Sequence, residues 1–173
     1  DALASELIEQ AHQRGLPPLR IVCPDVPGRG QSAWLPDPAL YQIPVYVQGM
    51  VQLLTRLAQQ APIDALDWVG TSMGGLIGIA VAGQPGLPLP VPVRRLVLND
   101  VGPVIEWQAL QRIGQYLGKL ARFESLQQAA DAMWMISSSF GPHTPAQWLE
   151  LSRAMVRRVP DSEGGGVTLH YDP

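Results

Sequence analysis

The sequence predicts an α/β fold: part of a parallel sheet followed by a mainly helical region. Three observations predict it. Short apolar runs at 20–23, 66–69 and 95–99 alternate with helical patterns, as strands do in a parallel sheet covered by helices on both faces. Gly70-Thr71-Ser72-Met73-Gly74-Gly75 turns the middle run directly into a small-residue helical stretch at 75–82. After Pro103 the strand signal stops, and 104–158 reads as several helices with no convincing strand.

The elements follow in order. Leu3, Leu7, Ile8 and Ala11 recur at helical spacing over 1–14, with Asp1 and Glu6 toward the start, and Gly15 and Pro17-Pro18 end that helix. Residues 20–23 read as a short buried strand, which makes Cys23 a packed residue and not a reactive thiol. Residues 24–32 form a turn-rich loop. In it Asp25 is expected to bind nearby backbone N–H groups, and Arg29 either meets a carboxylate or is solvated. The second helix, 41–60, presents Ile43, Val47, Met50, Leu54 and Leu57 on one face. Pro44 falls in its first turn and Gly49 is an unfavourable interior residue. A Pro/Gly-rich loop at 83–92 leads to the strand at 95–99. Beyond it, helical stripes run through Ile105, Leu110, Ile113, Leu117 and Leu120, then Ala129, Ala132, Met133 and Ile136, then 145–159 with Trp148. Residues 161–166 read as a flexible loop.

The turn at Ser72 carries the chemistry. A strand bending sharply into a helix around one serine is a nucleophile elbow. Gly70 and Gly74 lack the Cβ that would obstruct the bend. The bend lifts the Ser72 hydroxyl clear of the backbone, and the N–H of Met73 at the helix start can face a developing oxyanion. An incidental Gly/Ser turn is the alternative, and the flanking strand and helix weigh against it.

Composition narrows the field. The 173 residues are 46% hydrophobic, enough for a core, and carry a formal charge of −3 with a pI near 5.5. An acidic chain lacks the basic face of a nucleic-acid binder, and no apolar stretch reaches membrane-spanning length. No basic head and apolar stretch of a secretion signal open the chain. The single cysteine excludes an intrachain disulfide and suits a reducing, cytoplasmic compartment. Three scattered histidines and one cysteine show no metal-ligand spacing, and Gly28-Arg29-Gly30 is not a dinucleotide fingerprint. No metal and no cofactor are therefore expected.

Three landmarks in register resemble the α/β-hydrolase superfamily over nearly the whole chain. Asp25 to Ser32 resembles the loop after the fourth strand of esterase-like members. Gly70 to Gly75 resembles the elbow after the fifth. Leu96 to Pro103 resembles the end of the sixth, where a helical cap begins. The resemblance implies a hydrolase core over 1–103 and a cap with its return loop over 104–173. It also implies Ser72 as nucleophile and the Met73 N–H as one oxyanion donor. The second donor usually follows the third strand, the acid the seventh and the histidine the eighth. The chain thus reads as an internal piece lacking both ends, expected to fold poorly and to be inactive by itself.

Asp100 is a candidate acid, because some members place it after the sixth strand; the competing reading is an Asp that caps the next turn. His170 is a weak candidate base, while His12 and His143 read as solvated or turn residues. The implied activity is serine-dependent cleavage of an ester or related acyl bond in a small apolar substrate. C–C hydrolysis of ring-cleavage products and a non-catalytic scaffold are the alternatives.

Overall fold

The structure, a computed structural model, describes residues 2–119 and 121–173. The readings for Asp1 and Leu120 lie outside the described residues.

The first region is built on helices α1 (Ala2–Gln13), α2 (Ile43–Gln60) and α3 (Met73–Gly83) with strands β1 (Leu66–Thr71) and β2 (Val93–Asn99). The strands pair in parallel, from Asp67 opposite Arg95 to Thr71 opposite Asn99. Helix α3 packs on both strands and α2 packs on α3. Their shared core is Tyr46, Val47 and Met50 of α2 with Ile77 and Val81 of α3, sealed by Trp68, Leu87, Leu89 and Val93. Tyr46 belongs to this core although the helical stripe did not single it out.

Two expectations for this region are corrected. The sheet is covered on one face only among the described residues: Trp68 and Leu96 turn toward α3, whereas Val69 and Val97 are each 53% exposed on the other face. Residues 20–23 form no strand, and Cys23 is exposed. A strand exists by pairing, and no described segment pairs with this one. Arg20 instead reaches the end of α2, where its guanidinium donates to the Leu57 carbonyl at 3.1 Å and the Gln60 side chain at 3.0 Å. That helix has no basic residue in its own last turn, so Arg20 supplies a positive charge at its carboxyl end, sharing the Leu57 carbonyl with the Ala61 N–H. The stripe of α1 is likewise unburied, with only Ala11 inside.

The second region holds helices α4 (Trp107–Gly114), α5 (Leu126–Ser137) and α6 (Pro145–Arg153). It also holds a three-stranded antiparallel sheet in the order β3 (Arg122–Phe123), β5 (Val167–Leu169), β4 (Val156–Arg158). These strands correct the expectation of helix throughout 104–158. Val156-Arg157-Arg158 continues the apolar spacing of α6 in sequence, and only pairing with β5 makes it a strand. The hairpin between them corrects the flexible loop. Its turn is hydrogen-bonded, with Val159 N–H on the Gly166 carbonyl at 2.9 Å and Gly165 N–H on the Pro160 carbonyl at 3.0 Å. Gly166 has φ +80°, and a Cβ there would collide with the Phe123 carbonyl oxygen of the neighbouring strand.

Behind this sheet lies a second core of Ala129, Ala130, Met133 and Trp148, flanked by Phe123, Trp134, Val156 and Val167. Ser125 caps α5 and Thr144 begins α6 with a reciprocal capping box to Gln147. Trp107 lies in the open at 67% exposure, so the tryptophans of this region do not share one role.

Candidate active site

The bend at Ser72 is as sharp as the sequence requires. Ser72 stands between β1 and α3 with φ 48° and ψ −118°, outside the allowed regions for an L-residue, and its side chain makes no capping hydrogen bond to the helix. The residue is exposed. Its N–H donates to the Asn99 carbonyl at 3.0 Å, continuing the β1–β2 ladder by one step. Its own carbonyl accepts from Gly75 at 2.9 Å and Leu76 at 3.1 Å. The strained residue is thus held from both sides by backbone. Strain of this kind costs about 1–3 kcal/mol and survives only where the surroundings over-determine it.

The glycines that permit the bend differ in part from those expected. A Cβ on Gly70 would overlap the backbone of Gly74 and Gly75, and one on Gly75 would overlap Val101 and lie 3.0 Å from the Gly70 carbonyl oxygen. A Cβ on Gly74 would meet nothing within 4 Å among the described residues, so Gly74 is not what opens the turn. Gly78, one helical turn after Gly75, is the residue sequence reasoning missed: a Cβ there would sit 2.5 Å from Trp68 Nε1. That indole N–H donates to the Gly74 carbonyl at 3.0 Å and ties the strand before the bend to the helix after it. The i, i+3 spacing of Gly75 and Gly78 was the available signal.

Asp100 occupies the position after β2 that Ser72 occupies after β1. These two are the non-glycine residues with positive φ among the described residues, Asp100 at 53°. Both are exposed at the carboxyl edge of the pair, and between the strands Asn99 Nδ2 donates to Thr71 Oγ1 at 3.2 Å. The N–H groups of Met73 and Gly74, the first two residues of α3, precede the helix's own ladder, and N–H groups in that position can serve an anion. An exposed, strained hydroxyl set against helix-start N–H groups has the chemistry to attack a carbonyl and to hold the oxyanion that results, and the Asp100 carboxylate lies at the same sheet edge.

No histidine ring is hydrogen-bonded to Ser72 among the described residues. His12 is exposed on α1. His143 lies in the turn before α6, its Nδ1 3.0 Å from the Gly141 carbonyl and its ring against Trp134 and Trp148. His170 contributes main chain: its N–H donates to the Met155 carbonyl at 2.8 Å and its carbonyl accepts from Gly30 at 3.2 Å.

That last contact belongs to a seam joining the 24–35 loop to the end of the chain. Asp25 shapes the loop as expected, accepting from the Gln31 N–H at 3.0 Å. Among the described residues Arg29 meets no carboxylate; its guanidinium lies 5.1 Å from the Tyr171 ring centroid. The Asp172 N–H donates to the Gly28 carbonyl at 2.9 Å, and the Tyr41 hydroxyl donates to the Asp172 carboxylate. Partial burial, then that carboxylate, push the Tyr41 phenol above its ordinary range. Burial also raises Tyr46, against the pull of the Arg29 charge.

The sequence pattern of the Alpha/beta hydrolase family matches residues 2–171. The chain belongs to the alpha/beta hydrolase family. It is 49% identical over 154 residues to a 3-hydroxybutyrate-oligomer hydrolase of Cupriavidus necator, a match covering 89% of this chain and 50% of that protein. An alpha/beta hydrolase from Novosphingobium aromaticivorans superposes with a TM-score of 0.73 at 30% identity, over 95% of this chain and 54% of the other. A putative hydrolase from Rickettsia typhi gives the same TM-score of 0.73 at 30% identity, over 85% and 48%. The alpha/beta hydrolase chain described here therefore spans about half the length of the relatives it matches. Among its described residues, no helix is long and apolar enough to cross a membrane.

Proposed function

We propose that this chain carries the nucleophile of a serine ester hydrolase acting on short oligomers of a small hydroxyacid. The observation that carries the reading is Ser72: exposed, strained at φ 48°, and set at a strand-to-helix bend that glycine contacts enforce. Its Oγ attacks the acyl carbon while a general base takes the hydroxyl proton, and the carbonyl oxygen becomes an oxyanion facing the Met73 N–H. Collapse breaks the ester C–O bond, and the alcohol leaves with the returned proton. Water then attacks the acyl-enzyme and releases the acid. Asp100, at the same sheet edge, is the acid of this constellation.

The substrate class is supported by the relative from Cupriavidus necator, 49% identical over the matched residues and named for hydrolysis of 3-hydroxybutyrate oligomers. Residues 1–103 form the core of the enzyme and 104–173 its cap. The enzyme works on a small molecule, without metal or cofactor, in the cytoplasm.

The test is labelling of the full-length protein with a fluorophosphonate probe, alongside hydrolysis of 3-hydroxybutyrate oligomers. Labelling is expected at Ser72, and Ser72→Ala should lower kcat by at least about a thousandfold while the protein stays folded. Full activity in folded Ser72→Ala protein would sink the assignment.

A further inference from the structure

We propose that Thr71 and Asn99 form a positioning clasp for the nucleophile: the hydrogen bond between their side chains holds the Ser72 bend in its reactive geometry. The inference rests on the function proposed above and adds two positioning residues to it.

The two residues are the last pair in the β1–β2 register. Asn99 Nδ2 donates to Thr71 Oγ1 at 3.2 Å, and the Asn99 carbonyl accepts from the Ser72 N–H at 3.0 Å. Asn99 therefore grips the chain at two successive residues, by side chain at Thr71 and by main chain at Ser72. Each member of the pair is followed at once by a positive-φ residue, Ser72 at 48° and Asp100 at 53°. Backbone of this kind carries strain, and the end of a ladder is where pairing opens first. A side-chain bond at this rung opposes both.

The rest of the open sheet face sets this rung apart. Asp67, Val69 and Thr71 alternate along β1 and stand opposite Arg95, Val97 and Asn99 of β2, and all six are exposed. The far rung is an ion pair, Arg95 to Asp67 at 3.6 Å, and the middle rung is apolar. The hydrogen-bonded rung is the one at the carboxyl edge, next to Ser72 and Asp100. Exposed cross-strand pairs contribute little to stability, so the fold itself does not require this bond. Catalysis is more demanding, since a displacement of about 1 Å can cost about a hundredfold in rate.

The experiment measures kcat and KM for a 3-hydroxybutyrate trimer on the full-length protein, with active sites counted by fluorophosphonate titration. Thr71→Val keeps the shape and removes the hydroxyl. It should lower kcat by about tenfold and leave KM within about twofold. Thr71→Ser restores the hydroxyl and should bring kcat back to within about threefold of the unsubstituted protein. Asn99→Ala should match Thr71→Val, and the double variant should lose no more than the worse of the two. Asp67→Asn weakens the far rung of the same face and should leave kcat unchanged.

A kcat in Thr71→Val within about twofold of the unsubstituted value overturns the proposal. If hydrolysis still requires Ser72 in that case, the proposed function stands. A loss shared by Thr71→Ser or by Asp67→Asn, a loss confined to KM, or losses that multiply in the double variant overturn the clasp too. If the unsubstituted protein cleaves no oligomer, the proposed function falls instead, and amide hydrogen exchange decides the clasp. Exchange of the Ser72 N–H that is faster by about tenfold or more in Thr71→Val, relative to amides midway along β1, and is slowed again in Thr71→Ser, upholds it. Equal exchange overturns it.

Discussion

Around Ser72 the backbone is packed against itself, whereas between α5, α6 and the β3–β5–β4 sheet the contacts are made by large side chains. At the elbow, a Cβ on Gly70 would overlap main-chain atoms of Gly74 and Gly75. In the second region, Trp148 fills the core, donates its indole N–H to the Ala130 carbonyl at 2.8 Å and meets Trp134 edge-on at 5.0 Å. The two arrangements fail differently. The elbow has no room for added atoms, because main chain cannot rotate out of the way. The aromatic core cannot lose atoms, because nothing else fills the volume of an indole.

The comparison can be broken from either side. Trp148→Ala should have the largest effect, a loss of about 3–5 kcal/mol in denaturant unfolding of the full-length protein, since it empties a core site and removes the indole hydrogen bond to Ala130. A loss below about 1 kcal/mol would mean that this core is not tightly packed. Gly70→Ala should cost about 1–3 kcal/mol or more by overpacking, with hydrolysis falling further than stability does because Ser72 is displaced. Gly74→Ala is the control at the same bend and should be tolerated, its Cβ pointing into open space among the described residues. Equal damage from the two would refute the assignment of the close approach to Gly70.

Smaller effects sharpen the picture. Gly49 lies inside α2, and a Cβ there would meet nothing within 4 Å among the described residues, so Gly49→Ala should stabilise by about 1 kcal/mol in the same unfolding assay. The smallest effect belongs to Asp67, whose carboxylate takes two hydrogen bonds from Arg94, at 2.9 and 2.6 Å. Those bonds hold its pKa below the ordinary range near 4. Its contribution is therefore present above that range and lost as pH falls through the depressed value. The Asp67 side chain is 40% exposed, so Asp67→Asn should cost less than about 1 kcal/mol at pH 7. The difference from the unsubstituted protein should vanish in strongly acidic buffer.

What was legible in the sequence was local. The bend at Ser72 is written in adjacent residues, because a strained φ and a close backbone approach leave only glycine at the crowded positions. Gly70 was readable for that reason. Gly78 showed only as a second glycine three residues after Gly75, because its need for a bare α-carbon comes from Trp68 on the preceding strand. The helix α2 was also readable, since Val47, Met50 and Leu54 fall on one face and all three are buried.

Pairing and burial partners were decided only in three dimensions. Residues 20–23 and 156–158 look alike as short apolar or mixed segments. The second became a strand because β5 lies alongside it, and the first did not because nothing described does. Arg157 carries no sign in sequence that its Nε is shut away over Trp34, more than a hundred residues earlier in the chain. Sequence determined the elbow, whose strain is set by neighbouring backbone. Tertiary structure determined the strands and the burial of the Arg157 Nε, since hydrogen-bond partners and desolvation depend on what a segment meets and not on what it contains.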